Sequence, residues 1–448
     1  MGTGWRTRRM GSAVVLAAAA VVAFAVPSAA LPGQLDPSFG AGGTVVTEFP
    51  SSYSGGRAVA VQADGRIVAA GFAHTNDSIL SDFALTRYEV DGTLDTTFGT
   101  GGRVRTDFGG RFDEALAVAV QPDGRIVAAG SSSDATGTDM AVARYHPDGA
   151  LDTSFDGDGM ALVEFDGESI ARAAAVQPNG RLVLAGSAIQ LFGGGCCVAD
   201  FALARLTTTG ALDSSFGGDG RVVTDFMPGP DNGQDAAHAV LVRADGRILA
   251  AGSGVAGAGS VDFAVARYRA NGSLDPTFSH DGRVTTDFVG YQDEIRDLAV
   301  DPGGRIVTGG QSCSFPGDFD EVCDFGLVRY TSGGTLDPRF GRHGRVRTDL
   351  GAVVGEGVRG VVVQHDGRIV AAGDTQGPGG ADLGLARYRS DGRLDRGFGT
   401  DGTVVTPVSP GTDEVGGLAL GPAGRAVVAG TTAVSQSFGF FVARYRLA

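Results

Sequence analysis

Residues Leu94–Ala150 read LDTTFGTGGRVRTDFGGRFDEALAVAVQPDGRIVAAGSSSDATGTDMAVARYHPDGA, and the chain then starts the same text again. The Leu-Asp pair that opens the stretch recurs at Leu35, Leu94, Leu151, Leu212, Leu274, Leu336 and Leu394, at intervals of 59, 57, 61, 62, 62 and 58 residues. Self-similarity at a fixed period of this size is the signature of a repeat architecture, so the unit has to be read before any local feature.

Each unit holds four short apolar runs separated by turn residues. In the stretch above they are Gly102–Phe108, Leu116–Gln121, Arg125–Gly130 and Met140–Tyr145. All are of strand length and rich in Val, Ile, Thr or aromatic residues. The second and third are joined through Pro122-Asp123-Gly124. Asp-Gly suits a tight hairpin, because Gly accepts positive φ and Asp bonds its own local backbone. Beyond the first thirty residues no run has the length and 3.6-residue period of an amphipathic helix. Four strands in each of seven units predict an all-β chain, a seven-bladed β-propeller of four-stranded antiparallel blades. A β-solenoid is the alternative, but its coils repeat at shorter spacing and leave two ends to cap. The chain opens with an outer-type strand, Gly43–Phe49, and stops after a third-type strand, Phe440–Arg446. The first strand is therefore expected to complete the last blade, which removes two open sheet edges.

Three motifs, L-D-x-x-F-G, Q-x-D-G-R-I-V-x-A-G and D-F-A-L-A-R-Y-x-x-D-G, resemble the delta-60 repeat family from about Leu35 to Tyr445. The resemblance implies a bacterial β-propeller repeat and no particular activity.

Residues 1–30 contain Arg6, Arg8 and Arg9, an apolar run from Ala13 to Val26, and Ser28-Ala29-Ala30. A basic start, an apolar centre and small residues at the end predict a secretory signal peptide, cleaved after Ala30 and leaving one domain over 31–448. Arg8-Arg9 hints at twin-arginine export, although Gly11 stands where that signal prefers a bulky apolar residue. The apolar run is short for spanning a bilayer. The expectation is a secreted, monomeric protein. The full chain has a formal charge of −15, and removing three Arg with no acid leaves −18. So acidic a surface argues against nucleic acid and anionic membrane as partners. All 36 basic residues are Arg, which excludes Schiff-base and Ser-Lys chemistry. Four cysteines in an exported chain are disulfide candidates. Cys313 and Cys323 flank one connection and make the natural pair, leaving Cys196 and Cys197 to form a vicinal bridge or stay reduced. No His stands at ligand spacing from either pair, so a Cys/His metal site is not expected.

Comparing units separates scaffold from variable surface. From the Gly of the R-I-V-x-A-G run to the start of the next strand the steps are 11, 9, 14, 10, 14, 9 and 9 residues. The connection from Met227 to Asp235 is also long. Label the strands of a unit A to D from the channel outward. The variable B–C and D–A loops then share one face, and loops held by a rigid scaffold are where binding usually resides. Insertion tolerance alone would give the same pattern. The Leu-Asp aspartates, the hairpin arginines (Arg66 to Arg425), the strand-C arginines (Arg87 to Arg444) and the Phe of L-D-x-x-F (Phe39 to Phe398) recur in every unit. A catalytic residue is needed once, so these are expected to be inter-strand ion pairs and core.

The six histidines fall at different places in their units and form no recognised catalytic or metal pattern, so they are expected on the surface or in satisfied loops. One acidic position is more telling. Twelve residues before the hairpin Arg stand Asp113, Asp235, Asp293, Glu356 and Asp413, with Ser54 and Ser169 in the other two units. Leading into strand A, they are expected to ring the channel mouth, either solvating loop ends or gathering a cation such as Ca²⁺. The functional expectation is an exported binding or scaffold protein. It would hold an extracellular protein or glycan on the face of the B–C and D–A loops. The alternative is an extracellular lyase or hydrolase using channel-mouth carboxylates.

Overall fold

The computed structural model describes residues 31–50, 53–74, 80–192, 196–227, 234–256, 260–288, 292–314, 322–351, 355–377, 379–435 and 437–448. The signal-peptide expectation concerns residues outside these, as do parts of most of the variable connections. Among the described residues all regular structure is β-strand, in four-stranded antiparallel sets. The inner strands of successive sets are Ser54–Val61, Phe112–Val120, Glu168–Val176, Ala236–Val242, Gln292–Val300, Gly357–Val363 and Asp413–Gly421. Among the described residues four pairs of sets are further joined by single parallel bridges, Tyr53 to Phe438, Ser81 to Phe112, Ala199 to Gln234 and Val261 to Gln292. The outer strand of the last set is the first strand of the chain, Thr44–Thr47, which runs antiparallel to Ser437–Arg446 with Thr44 opposite Ala443.

The inner strands begin earlier than the apolar runs suggest. Asp113 lies inside Phe112–Val120 rather than before it, because the strand continues past its apolar part. Each inner strand also carries a β-bulge. The register with its neighbour slips between Gly56 and Ala58, Ala115 and Ala117, Ala171 and Ala173, Ala237 and Ala239, Ile295 and Asp297, Val358 and Gly360, and Val415 and Gly417. The bulge accounts for the Gly that closes every R-I-V-x-A-G run. A Cβ on Gly130 would meet the Glu114 carbonyl oxygen at 1.8 Å, and one on Gly310 would meet that of Glu294 at 1.8 Å. No side chain fits where a bulged backbone presses this closely.

Neighbouring sets are joined by one repeated fixture. The strand-C Arg reaches back to the Asp of the following Leu-Asp turn, as in Arg144 Nε to Asp152 Oδ2 at 2.8 Å and Arg329 Nη2 to Asp337 Oδ2 at 2.9 Å. The hairpin Arg joins the same carboxylate, Arg125 Nε lying 2.8 Å from Asp152. The Arg stacks over the Phe of that turn, 4.7 Å from the Phe155 centroid for Arg144. A further donor then crosses to the next unit, Arg144 Nη1 to the Thr208 carbonyl at 2.6 Å. The strand-C Tyr hydroxyl bonds the Thr that ends the preceding unit's outer strand, Tyr330 to Thr286 at 2.8 Å. At the chain ends the same fixture joins Asp36 to Arg444 at 3.0 Å and to Arg446 at 3.2 Å. The carboxylates and the strand-C arginines are buried, Asp36 completely and Arg329 to 2 % exposure, while the hairpin arginines are partly exposed. The expected structural role of the recurrent Asp, Arg and Phe residues is the one observed.

Cys313 and Cys323 face each other across Ile306–Ser314 and Val322–Tyr330 and are disulfide-bonded. The side chains of Cys196 and Cys197 fall outside the described residues.

Burial alone would raise the fixture carboxylates. Hydrogen bonds from Ser154 and the charges of Arg144 and Arg125 instead bring Asp152 down to about 2, and Thr277 with Arg267 and Arg247 does the same for Asp275. A carboxylate depressed in the fold contributes stability above its unfolded value near 4, and that contribution disappears as pH falls through the folded value. Thermal unfolding should therefore drop steeply between pH 4 and pH 2, and a melting temperature unchanged over that interval would contradict the fixture. Arg329→Ala should cost about 3 kcal/mol or more in urea denaturation, because it strands a buried carboxylate. A loss below about 1 kcal/mol would mean that Arg305 suffices to hold Asp337.

Candidate functional site

A β-bulge places one extra residue on the strand and re-aims its side chain. The bulged residues of the seven inner strands are Arg57, Leu116, Arg172, His238, Arg296, Arg359 and Gly416, each nine residues before its hairpin Arg. They line one cavity of about 450 Å³ to which all seven inner strands contribute. Elsewhere the units repeat their chemistry, whereas here four arginines and a histidine converge in a strongly acidic protein.

The cavity is asymmetric. Arg57 is held by two neighbours, Glu114 Oε1 at 2.6 Å and Glu414 Oε2 at 3.3 Å. Arg359 Nε lies 2.7 Å from Asp374 Oδ2. Arg172 Nη1 donates to Ser187 Oγ at 2.6 Å and has no ion-pair partner among the described residues. Burial, reinforced by the nearby Arg296 guanidinium, pushes the Arg172 pKa down. Ser187, Asp374 and Phe72 occupy the same place in strand B, next to the close-packed Gly, so one pair of positions is filled three ways. Arg57 there stacks over Phe72 at 5.2 Å.

His238 Nε2 lies 2.7 Å from Glu294 Oε1, and Arg296 Nη2 donates to Glu294 Oε2 at 2.6 Å. Arg296 Nη1 is 3.4 Å from His238 Nδ1. Arg296 can only donate, so Nδ1 accepts and the neutral ring carries its proton on Nε2, which faces Glu294 without making a well-aligned hydrogen bond. Burial favours the same neutral state by driving the imidazole down to about 4. The contacts from His238 and Arg296 outweigh burial at Glu294 and keep it ionised. Asp297, where other units carry Ala or Gly, accepts the Val361 and Leu298 amides at 2.7 Å each. Burial nevertheless pushes it up to about 7. His238 is thus a cavity residue, not the surface or loop residue its isolated position in sequence implies.

The five acids expected to ring the channel mouth are placed differently. Asp113, Asp235, Asp293, Glu356 and Asp413 are all nearly or wholly buried and do not line the cavity. Each sits at a seam between units and accepts a backbone amide from the preceding connection, as Asp113 Oδ2 does from Phe108 and Asp413 Oδ2 from Val408. Four of them close triads with the acid that opens strand C and the acid that follows strand D. The triads are Asp82–Asp107–Asp113, Asp200–Asp225–Asp235, Asp262–Asp287–Asp293 and Asp324–Asp349–Glu356, with one carboxylate oxygen from each residue within 4.8 Å of the others. Burial first, and neighbouring carboxylates second, push Asp200 and Asp262 up to about 6. A central ring fails because the strand begins earlier than its apolar part, which turns this position into the seam.

Aligning units on the hairpin Arg would have exposed the bulge position, since its content varies while its spacing does not. The bulge that aims it inward has no sequence signal beyond the closing Gly.

Five stretches, 62–98, 121–155, 177–216, 243–278 and 364–398, match a family model described as "Domain of unknown function (DUF5122) beta-propeller". They run from the hairpin to the Leu-Asp turn and so contain the Arg–Asp–Phe fixture, while every bulged residue lies outside them. The fold is thus that of β-propeller repeats of unknown function. No curated protein matches the sequence. Among solved structures, a protein of unknown function from Dyadobacter fermentans is similar over 91% of this chain and 98% of its own, at 11% identity and a TM-score of 0.45. The polysaccharide lyase Uly1 is similar over 90% of this chain and 91% of its own, at 13% identity and a TM-score of 0.49. A Penicillium chrysogenum alpha-L-arabinanase complexed with arabinobiose is similar over 93% and 97%, at 13% identity and a TM-score of 0.45. At such identities no functional residue carries over from these proteins.

Proposed function

We propose that β-propeller repeats of this kind close here into a seven-bladed ring, and that the protein is an exported binding protein whose ligand enters the central cavity with an anionic group. Pairing of Thr44–Thr47 with Ser437–Arg446 supports closure, as does the Asp36–Arg444 contact at 3.0 Å. The observation that carries the binding reading is the bulged position, where Arg57, Arg172, His238, Arg296 and Arg359 converge from five units. Arg172 is its pivot. It is crowded by Arg296 and makes no ion pair among the described residues, Glu294 acting on it only from a distance, so a carboxylate or phosphate group would relieve an unfavourable pair of like charges. Asp374 and Glu294 then stand by as acceptors for ligand hydroxyls. A cavity of about 450 Å³ fits a small molecule or the acidic end of a glycan chain.

A second reading, an extracellular lyase or hydrolase, draws support from Asp297, a carboxyl shifted up to about 7 in the cavity that His238 also lines. A carboxyl titrating near neutrality suits proton transfer at pH 7, whereas an imidazole driven to about 4 is a weak base there. Turnover of a bound ligand, lost in His238→Ala with binding retained, would favour this reading over binding alone.

Calorimetry with citrate, inorganic phosphate and a neutral disaccharide tests the first reading. The two anions should bind and the neutral sugar should not. Arg172→Gln should weaken anion binding about tenfold or more, the value of one charged hydrogen bond. Absence of anion binding, or unchanged affinity in Arg172→Gln, would refute the anionic site. Closure is tested separately. Deleting residues 31–50 removes the outer strand of the last blade and opens an edge, so the unfolding midpoint should fall sharply. An unchanged midpoint would show that the ends are not coupled.

A further inference from the structure

The four acid triads occupy equivalent seams but differ in what neutralises them. In the first, Arg105 Nη2 lies 3.0 Å from Asp82 Oδ2. In the last, Arg347 Nε pairs with Asp324 Oδ2. Both arginines stand at the same place in strand D, Arg105 opposite Ala84 and Arg347 opposite Gly326. The corresponding residues in the two middle triads are Val223, opposite Ala202, and Thr285, opposite Ala264. Neither carries a charge, and among the described residues no Arg pairs with a carboxylate of Asp200–Asp225–Asp235 or Asp262–Asp287–Asp293; Arg283 and Arg345 reach only the backbone carbonyls of Asp225 and Asp287.

The unneutralised triads also leave a buried oxygen without a partner. Asp200 and Asp262 are 8% and 5% exposed, and Oδ1 of each has no hydrogen-bond partner. These are the two residues whose counterparts Asp82 and Asp324 meet an Arg. Asp113 Oδ1 is unpaired as well, in a triad that Arg105 already serves. A buried carboxylate oxygen with no donor costs free energy unless something positive meets it. In the remaining three seams the triad is broken by substitution, with Gly439 and Ser54 in one, Ser169 in the next and Pro407 in the third. Full acid sets therefore come with an arginine or with an orphaned oxygen.

We propose that the seams closed by Asp200, Asp225 and Asp235 and by Asp262, Asp287 and Asp293 are two divalent-cation sites of the calcium type, and that the Arg105 and Arg347 guanidinium groups take the cation's place in the other two. Oxygen-only ligands exclude a preference for zinc or copper. Within each triad the ligand oxygens lie within 4.8 Å of one another. Calcium accepts several protein carboxylates in irregular geometry, whereas magnesium demands an octahedron and keeps most of its waters, so a set of three protein carboxylates favours calcium. The amides of Phe226 and Val255 hold Asp235, and those of Phe288 and Cys313 hold Asp293, so one ligand in each site is fixed beforehand. Each cation would tie strand C and the D–A connection of one unit to the inner strand of the next. Those inner strands, Ala236–Val242 and Gln292–Val300, are the ones that carry His238 and the Glu294–Arg296 pair.

The full mature chain, freed of metal with a chelator, is titrated with calcium and separately with magnesium, following heat of binding and melting temperature. Calcium should bind at two sites per chain and raise the melting temperature more than magnesium does. Asp200→Asn and Asp262→Asn should each remove one site, and the double variant both. Val223→Arg is the sharper variant. Val223 is 43% exposed, so the change is tolerated by the fold. It should delete one calcium site while raising the melting temperature of the metal-free protein, because the new guanidinium does the cation's work. Arg105→Ala should do the converse and create a third site. No calcium binding at millimolar concentration would overturn the proposal. Equal responses to both ions, unchanged in Val223→Arg and in Asp200→Asn, would overturn it equally, since the acids would then be an unspecific surface field.

Discussion

One buried contact recurs through the whole molecule, an arginine from strand C clamped between the carboxylate and the phenyl ring of the next Leu-Asp-x-x-Phe turn. It satisfies the carboxylate with two guanidinium groups, shields the cation with an aromatic face, and passes its remaining donor to a carbonyl of the following unit. A buried ion pair adds little net stability when compared with an apolar replacement, but removing one partner is costly. Its value here is geometric. Planar guanidinium contacts converge on Oδ2 while the turn holds Oδ1, and together they set the spacing and tilt of one unit against the next. Repeating them with the same residues makes every seam alike.

That uniformity lets a single position per unit vary without touching the scaffold. The bulge turns the residue nine places before the hairpin Arg out of the sheet's packing and into the cavity, where its neighbour in strand B varies with it. Four arginines, a histidine, a leucine and a glycine are tolerated there, although the Gly opposite the bulge is the same in all seven units. The family model covers the hairpin, strand C and the turn, where the fixture resides, and stops short of the inner strand. Scaffold and cavity are thus separate in sequence as well as in space.

Charge is distributed by the same logic. The protein is strongly acidic, yet arginines gather at the cavity and at the fixture while carboxylates gather at the seams. Where the strand-D residue beside a triad is Arg105 or Arg347 the chain neutralises itself, and where it is Val223 or Thr285 it does not. One position on a short outer strand, two residues before a triad acid and paired with strand C, sets whether the cluster meets a guanidinium group.

The repeat, the four strands per unit, the structural role of the recurrent Asp, Arg and Phe, and the Cys313–Cys323 pairing were all legible in the sequence. Each depends on local pattern or on a spacing that never changes: period-two apolar runs, Asp-Gly turns, and residues recurring at fixed offsets. What the inner strand does with its polar residues was not legible. In the sequence the five acids read as a ring, because the apolar run is taken to mark the strand's start. The strand in fact begins earlier, held by pairing with a neighbour across the Cys313 and Ser132 region rather than by its own hydrophobicity. His238 and the four cavity arginines looked unrelated because they lie about sixty residues apart and share no motif. Only the bulge, a one-residue slip created by close backbone contact between two strands, turns them to a common point, and such a slip depends on the pairing of segments that a linear pattern does not bring together.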